Sequence, residues 1–218
     1  MQRSAERATS LAMLFTLADS RLPIGGHVHS GGVEEAVASG LVHDVATVEL
    51  YLRRRIRTSG LVAASLAAAV CSGAIEPTRA EAEADARTPA PGARAASRAQ
   101  GRGLLRLAKQ VWPQHDWDVL GPRPYLSTVF GMVGAACEVT PVQTAGVVIY
   151  TTLTGAATAA QRLLALDPAA IAACTVRLAE LCDRTAAEAA TGLAALSDPL
   201  QDVLAQRHMQ REIPLFAS

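Results

Sequence analysis

Two histidines one residue apart, His27 and His29, stand between glycine pairs in the stretch LPIGGHVHSGGVEEAV, Leu22 to Val37, directly before an acidic helical pattern. Imidazole is a common metal ligand and the usual proton shuttle near neutral pH, so chemistry is sought here first. An extended segment would aim the two rings to opposite sides, and two imidazoles alone make an incomplete metal site unless another chain adds ligands. A metal contact at His27 and His29 is one reading; structural or interface histidines are the reading the residues favour. The rest of the stretch is a shaped turn. Leu22-Pro23 leaves a first helix, Gly25 and Gly26 allow positive φ and close backbone approach, and Ser30 or Gly31 caps a helix whose first turns hold Glu34 and Glu35. His43 and His115 carry no comparable signal.

Other catalytic signatures are missing from the sequence. Its single lysine, Lys109, follows alanine in the middle of a helical pattern, so no Walker-type phosphate loop can be built around it. There is no G-x-S-x-G elbow, no H-E-x-x-H, and no glycine fingerprint between a strand and a helix. Serine, histidine and acidic residues do neighbour one another in HVHSGGVEE, but a triad is defined by geometry across a fold, not by adjacency. An ordinary enzyme is a poor reading of this chain.

The elements that must position the histidine stretch are helices. In 218 residues, 50% are hydrophobic and only 4% aromatic, with alanine, leucine and valine dominant, which favours close-packed helices in one domain. Twenty basic and twenty acidic residues cancel, so no global field draws the chain to nucleic acid or an acidic membrane. The local exception is LRRRIR, Leu52 to Arg57, read as a solvated or partner-facing helix side. Cys71, Cys137, Cys174 and Cys182 form no C-x-x-C pair and suit buried reduced thiols in a cytoplasmic protein. Arg3 and Arg7 before LAMLFTLA imitate a short signal peptide, but Glu6 lies in the charged region and no A-x-A follows; Thr9 or Ser10 is read as an N-cap. Val139 to Gln161 is uncharged, yet six threonines, a proline and glutamines at 143 and 161 mark it as a buried helix, not a membrane span.

Periodicity and punctuation predict helices over Leu11 to Ser20, Ser30 to Ser39, and Asp44 through Cys71 with a bend near Ser59 and Gly60. Further helices are expected near Thr78 to Ala86, Ala93 to Val111, Leu126 to Ala136, Pro141 to Leu166 and Pro168 to Leu196. A short one follows Asp198-Pro199, where, as at Asp167-Pro168, a cap precedes proline in the first turn. The fold class is all-α, a single-domain bundle of roughly eight to ten helices over residues 1–218.

SRLPIGGHVHSGGVEEAV resembles the N-terminal signature of the UreF family of urease accessory proteins. SRAQGRGLLRL (Ser97 to Leu107) looks like that family's mid-chain Ser, Gln-Gly, Leu-Leu helix, and AAQRLLAL (Ala159 to Leu166) like its Gln-Arg-Leu-Leu stretch. SDPLQDVLAQRHMQREIPLFAS resembles its ending, with His208, Leu215-Phe216 and terminal Ser218 in order. The chain departs from the pattern at His27, Val28 and His29, at Val33, at Ala156 and Ala157 where Pro-Leu-Gly-Gln is usual, and at Pro214, with Arg211 as a substitute for the usual arginine.

The resemblance implies a cytoplasmic, homodimeric helical scaffold without a cofactor of its own. It would join UreD (also called UreH) to the GTPase UreG, which binds the GTP, and support GTP-dependent nickel insertion into apo-urease, with nickel in transit. Small residues such as Gly155 and Ala159 suit helix association. Neither nucleic acid nor membrane is an expected partner. Partner-binding residues would be Pro23, Gly25, Gly26, His27, His29, Ser30 and Glu34 in the turn. In a docking tail over 209–218 they would be Arg211, Leu215, Phe216 and Ser218, with His208 just before it. Pro214 stops any helix there, so Leu215 and Phe216 are expected to be exposed. The alternative is a nickel carrier using the His27 and His29 loop.

Overall fold

Side-chain caps define where several helices begin. Asp44 accepts the Thr47 amide at 2.8 Å while Thr47 returns a bond to the Asp44 amide, and Thr140 and Gln143 repeat this reciprocal arrangement. Ser10, Asp167 and Asp198 cap three further helices through their side chains, the last two with proline in the first turn. The computed structural model describes residues 10–196, 198–211 and 215–216. Within these, the α-helices are α1 (Leu11–Ala18), α2 (Val33–Ala38), α3 (Val45–Arg55), α4 (Leu61–Cys71), α5 (Pro77–Ala86) and α6 (Pro91–Val111). They continue as α7 (Leu126–Ala136), α8 (Pro141–Leu164), α9 (Pro168–Arg177), α10 (Ala179–Ala189) and α11 (Pro199–His208). The described residues contain no strand, in accord with the all-α expectation.

Two helices carry the core. α8 buries Val147, Val148, Ile149, Leu153 and five alanines, and packs against α1, α2, α3, α4, α7, α9 and α10. α4 is apolar around most of its circumference and sits between α7, α8 and α10. Close approach depends on glycine: a Cβ on Gly131 would lie 2.6 Å from Val70 Cβ, and one on Gly101 would lie 2.2 Å from the Pro124 carbonyl. These contacts seat α7 against α4 and α6 against the chain entering α7. Among the described residues no helix is long and apolar enough to cross a membrane, and of the stretch Val139 to Gln161 the part from Pro141 onward lies in α8, which buries one side in the core.

The expected bend near Ser59 and Gly60 is a π-helical turn, Ile56–Gly60, so α3 and α4 form one rod with a widened turn. Three expectations need correction. The segment from Pro168 to Leu196 is not one helix: it tightens at Leu178, whose amide is shared between the Cys174 and Thr175 carbonyls, and α10 ends at Ala189. Beyond it, tertiary bonds replace helical ones, with the Ala194 amide donating to Ser65 Oγ at 3.0 Å and its carbonyl accepting from Arg87 at 2.8 Å. α6 starts at Pro91, not Ala93, since proline is favourable in a first turn. Neither Ser30 nor Gly31 caps α2; Gly32 holds that place, in the left-handed region.

The arginines of LRRRIR are mostly engaged. Arg53 pairs with Glu49, Arg54 with Asp198, and Arg55 with the Gly31 carbonyl. Leu52 and Ile56 are buried while Leu50 is exposed. Cys174 and Cys182 are buried as expected, whereas Cys71 and Cys137 are only half-buried, and none of the four is in a disulfide. Gly155 has open space above it and Ala159 is buried, so those two do not make one exposed small-residue face.

Candidate functional site

The turn between α1 and α2 is built on left-handed glycines. Gly25 (φ 72°) opens a short 3-10 turn at Gly26–Val28, and Gly31 (φ 62°) and Gly32 (φ 87°) deliver the chain to α2. Pro23 and Ile24 rest on α6, where a Cβ on Gly103 would come within 2.9 Å of the Pro23 carbonyl oxygen and the Ile24 Cα. The glycine-rich segment SRAQGRGLLRL therefore supplies the flat surface on which the turn lies.

The Gly31 carbonyl is surrounded by donors from two other elements. Tyr51 of α3 donates its hydroxyl at 2.9 Å, Gln201 of α11 donates its amide at 3.0 Å, and the Arg55 guanidinium donates as well. Burial pushes the Tyr51 hydroxyl pKa up, so it remains a neutral donor. Neighbouring Asp198 ties the same two helices, accepting from Arg54 at 2.5 Å and from Thr58 at 2.6 Å. Burial raises its pKa, but the bonds from Thr58, Arg54 and the Gln201 amide outweigh that and hold the carboxyl below its usual range.

A Cβ at Gly31 would sit 2.7 Å from the Arg55 guanidinium, and φ there is unfavourable for any L side chain. Gly31→Ala is thus expected to cost about 2 kcal/mol or more and lower the melting temperature by several degrees, read by circular dichroism. An unchanged melt would show that the carbonyl clamp does not hold the turn.

Glu34 is the second centre. Its carboxylate is only 3% exposed as a residue and accepts the backbone amides of Leu215 at 2.8 Å and Phe216 at 3.0 Å. His208 approaches it at 3.7 Å through Nδ1, and its Nε2 lies 3.3 Å from the Phe216 carbonyl. Arg211 lies 3.7 Å from Glu34 and bonds to Glu35 at 3.0 Å. Two stretches at opposite ends of the sequence therefore form one assembly.

Phe216 corrects the expectation of an exposed pair. It is 7% exposed, packs on the main core, and carries the Arg162 guanidinium 5.3 Å from its ring centroid, whereas Leu215 is 77% exposed. A buried carboxylate that satisfies two successive amides outcompetes water for this segment. Ser218 and Pro214 lie outside the described residues, as does the side chain of His27. His29 is half-buried and Ser30 fully buried. His29, Arg55, Ser59, Arg162 and Phe216 all border an open groove of about 1290 Å³. Ala156 and Ala157 are core residues of α8, so the departure there alters packing, not a surface. Among the described residues no three His, Cys, Asp or Glu side chains gather as a metal site.

Tyr51, Arg55, Gln201 and Asp198 were not singled out as site residues from sequence. Asp198 was legible as a helix cap, but its partners lie on another helix far away in the chain.

A profile of the UreF family matches residues 42–179. The urease accessory protein UreF of Mycolicibacterium vanbaalenii is 66% identical over 213 residues, covering 96% of this chain and all of the relative. The chain belongs to the UreF family of urease accessory proteins. UreF proteins of Mycobacterium marinum and Mycobacterium tuberculosis are 62% and 60% identical over 210 residues, again over 96% of this chain and the whole of each relative. Membership in an accessory family accords with the non-enzymatic reading of the UreF sequence. The Glu34 and Gly31 assemblies join this chain's UreF-like N-terminal signature to its UreF-like ending.

Proposed function

We propose that this UreF chain is a scaffold in urease maturation that joins UreD to the GTPase UreG and presents them to apo-urease for GTP-dependent nickel insertion. The observation that carries this reading is the meeting of the N-terminal turn and the C-terminal segment around Glu34. A meeting of both ends of the chain that leaves Leu215 exposed beside the buried Phe216 suits a protein partner better than a small substrate. The scaffold works as a dimer in the cytoplasm, contributes positioning instead of covalent chemistry, and leaves nucleotide binding to UreG.

Co-expression with UreD and UreG from the same source, followed by activation of apo-urease, tests the proposal: all three are expected to co-purify, and omission of this chain is expected to abolish activation. Calorimetric binding of GTP to the isolated chain at micromolar affinity would overturn the division of labour.

Replacing His27 and His29 together with alanine is expected to leave helical circular dichroism nearly unchanged, because glycines and the carbonyl clamp set the turn. Urease activation is expected to fall by far more than stability does. Equal losses of fold and function would mark the histidines as structural.

A further inference from the structure

We propose that Cys71 and Cys137 are a paired redox site, convertible by a low-molecular-weight disulfide into a protein disulfide that locks α4 to α7. Cys71 is the last residue of α4, and Cys137 follows the last residue of α7. The Cys71 sulfur donates to the Val139 carbonyl at 3.4 Å and accepts from the Thr144 hydroxyl at 3.2 Å. A Cβ on Gly134 would lie 3.1 Å from the same sulfur.

Cys137 stands three residues after Gly134 and two before Val139, so the chain on both sides of it touches Cys71. The two helices also run together: Gly131 meets Ala67 and Val70 and Gly134 meets Cys71, and helical spacing from Gly134 directs Cys137, which caps α7, toward the end of α4. Both cysteines are half-buried, so a small reagent reaches them, whereas Cys174 and Cys182 are buried.

The chemistry balances with an external disulfide as oxidant. One cysteine thiolate attacks a sulfur of oxidised glutathione, forming a mixed disulfide and expelling one glutathione thiolate. The second cysteine thiolate then attacks the protein sulfur, closing Cys71 to Cys137 and expelling the other glutathione. Each thiol gives up its proton to solvent, and the two electrons end on two reduced glutathiones. Burial raises both pKa values, and the neighbouring Cys71 helps push Cys137 to about 11. Thiolate is scarce near neutrality, so the exchange accelerates as pH rises. The product closes a loop that contains α5, α6 and α7 and pins the junction of α4, α7 and the first turn of α8.

The test incubates the full chain with oxidised glutathione at about pH 8.5, where the thiolate fraction is larger. Free thiols are then alkylated under denaturing conditions and the peptides mapped without reduction. The expected result is one cross-linked peptide pair carrying Cys71 and Cys137, with Cys174 and Cys182 alkylated. The melting temperature should rise by on the order of 10 °C and return on treatment with dithiothreitol. Cys71→Ser and Cys137→Ser should each abolish the cross-link and the rise. Glutathione left on separate cysteines without a cross-link, or a cross-link through Cys174 or Cys182, would overturn the proposal.

Discussion

Replacing Glu34 with alanine is expected to lower the melting temperature by on the order of 10 °C and, if the chain joins UreD as proposed, to abolish capture of UreD. The substitution removes the carboxylate that accepts the Leu215 and Phe216 amides and leaves His208, 4% exposed, beside an empty space. Removing one member of a buried charged network typically costs about 3–5 kcal/mol, because the remaining polar groups stay desolvated and unpaired. In a chain of this length each kcal/mol moves the melt by roughly 2–4 °C.

The two amide bonds dominate the effect. They are 2.8 and 3.0 Å long, whereas the His208 and Arg211 contacts with Glu34 are both 3.7 Å, and Arg211 keeps Glu35 at 3.0 Å. Glu34→Gln retains an acceptor oxygen but turns an NH2 group toward one amide, so about half the loss is expected from it. Thermal melts of the three proteins, with UreD pull-down on the same samples, check the order. A Glu34→Ala melt within a degree or two of the parent would show that the C-terminal segment is held by something else.

Helix class and most helix starts were legible because they are local: Asp44, Pro141 and the two Asp-Pro pairs mark where their helices begin. The family was legible because its signatures are spread through the chain. Long-range pairing was not legible. Glu34 looked like a first-turn carboxylate complementing a helix dipole, yet its partners are amides near the other end of the sequence. Arg54 and Arg55 looked like parts of a solvated basic run, because nothing local marks Asp198 or the Gly31 carbonyl as their acceptors. The end of α10 was obscured for a similar reason. Its alanine-rich continuation has helical propensity, but Ser65 and Arg87 claim the Ala194 backbone. The apolar pair near the C-terminus shows the same limit. Sequence offers two adjacent hydrophobic side chains, and only tertiary structure separates the buried one from the exposed one.

That separation makes the second large effect a comparison between neighbours. Phe216→Ala is expected to destabilise the protein by about 3 kcal/mol or more, since truncating a buried phenylalanine loses both transfer free energy and packing against the core. The loss also removes the ring beneath the Arg162 guanidinium. Leu215→Ala should shift stability by no more than about 0.5 kcal/mol, as befits an exposed side chain. If the segment docks UreD through its outward residue, Leu215→Ala should nevertheless weaken the complex at least tenfold, because a central apolar anchor typically contributes more than about 1 kcal/mol to an interface. The pair thus divides one segment into an inward anchor and an outward contact. Chemical denaturation gives the stability terms, and titration of UreD with folded samples of each variant gives the binding terms. Strong UreD binding by Leu215→Ala, with weakening confined to the unstable Phe216→Ala, would show that the segment serves the fold alone. In that event the next surface to test is the glycine turn at Gly25 to Val28, whose exposed apolar residue is Val28.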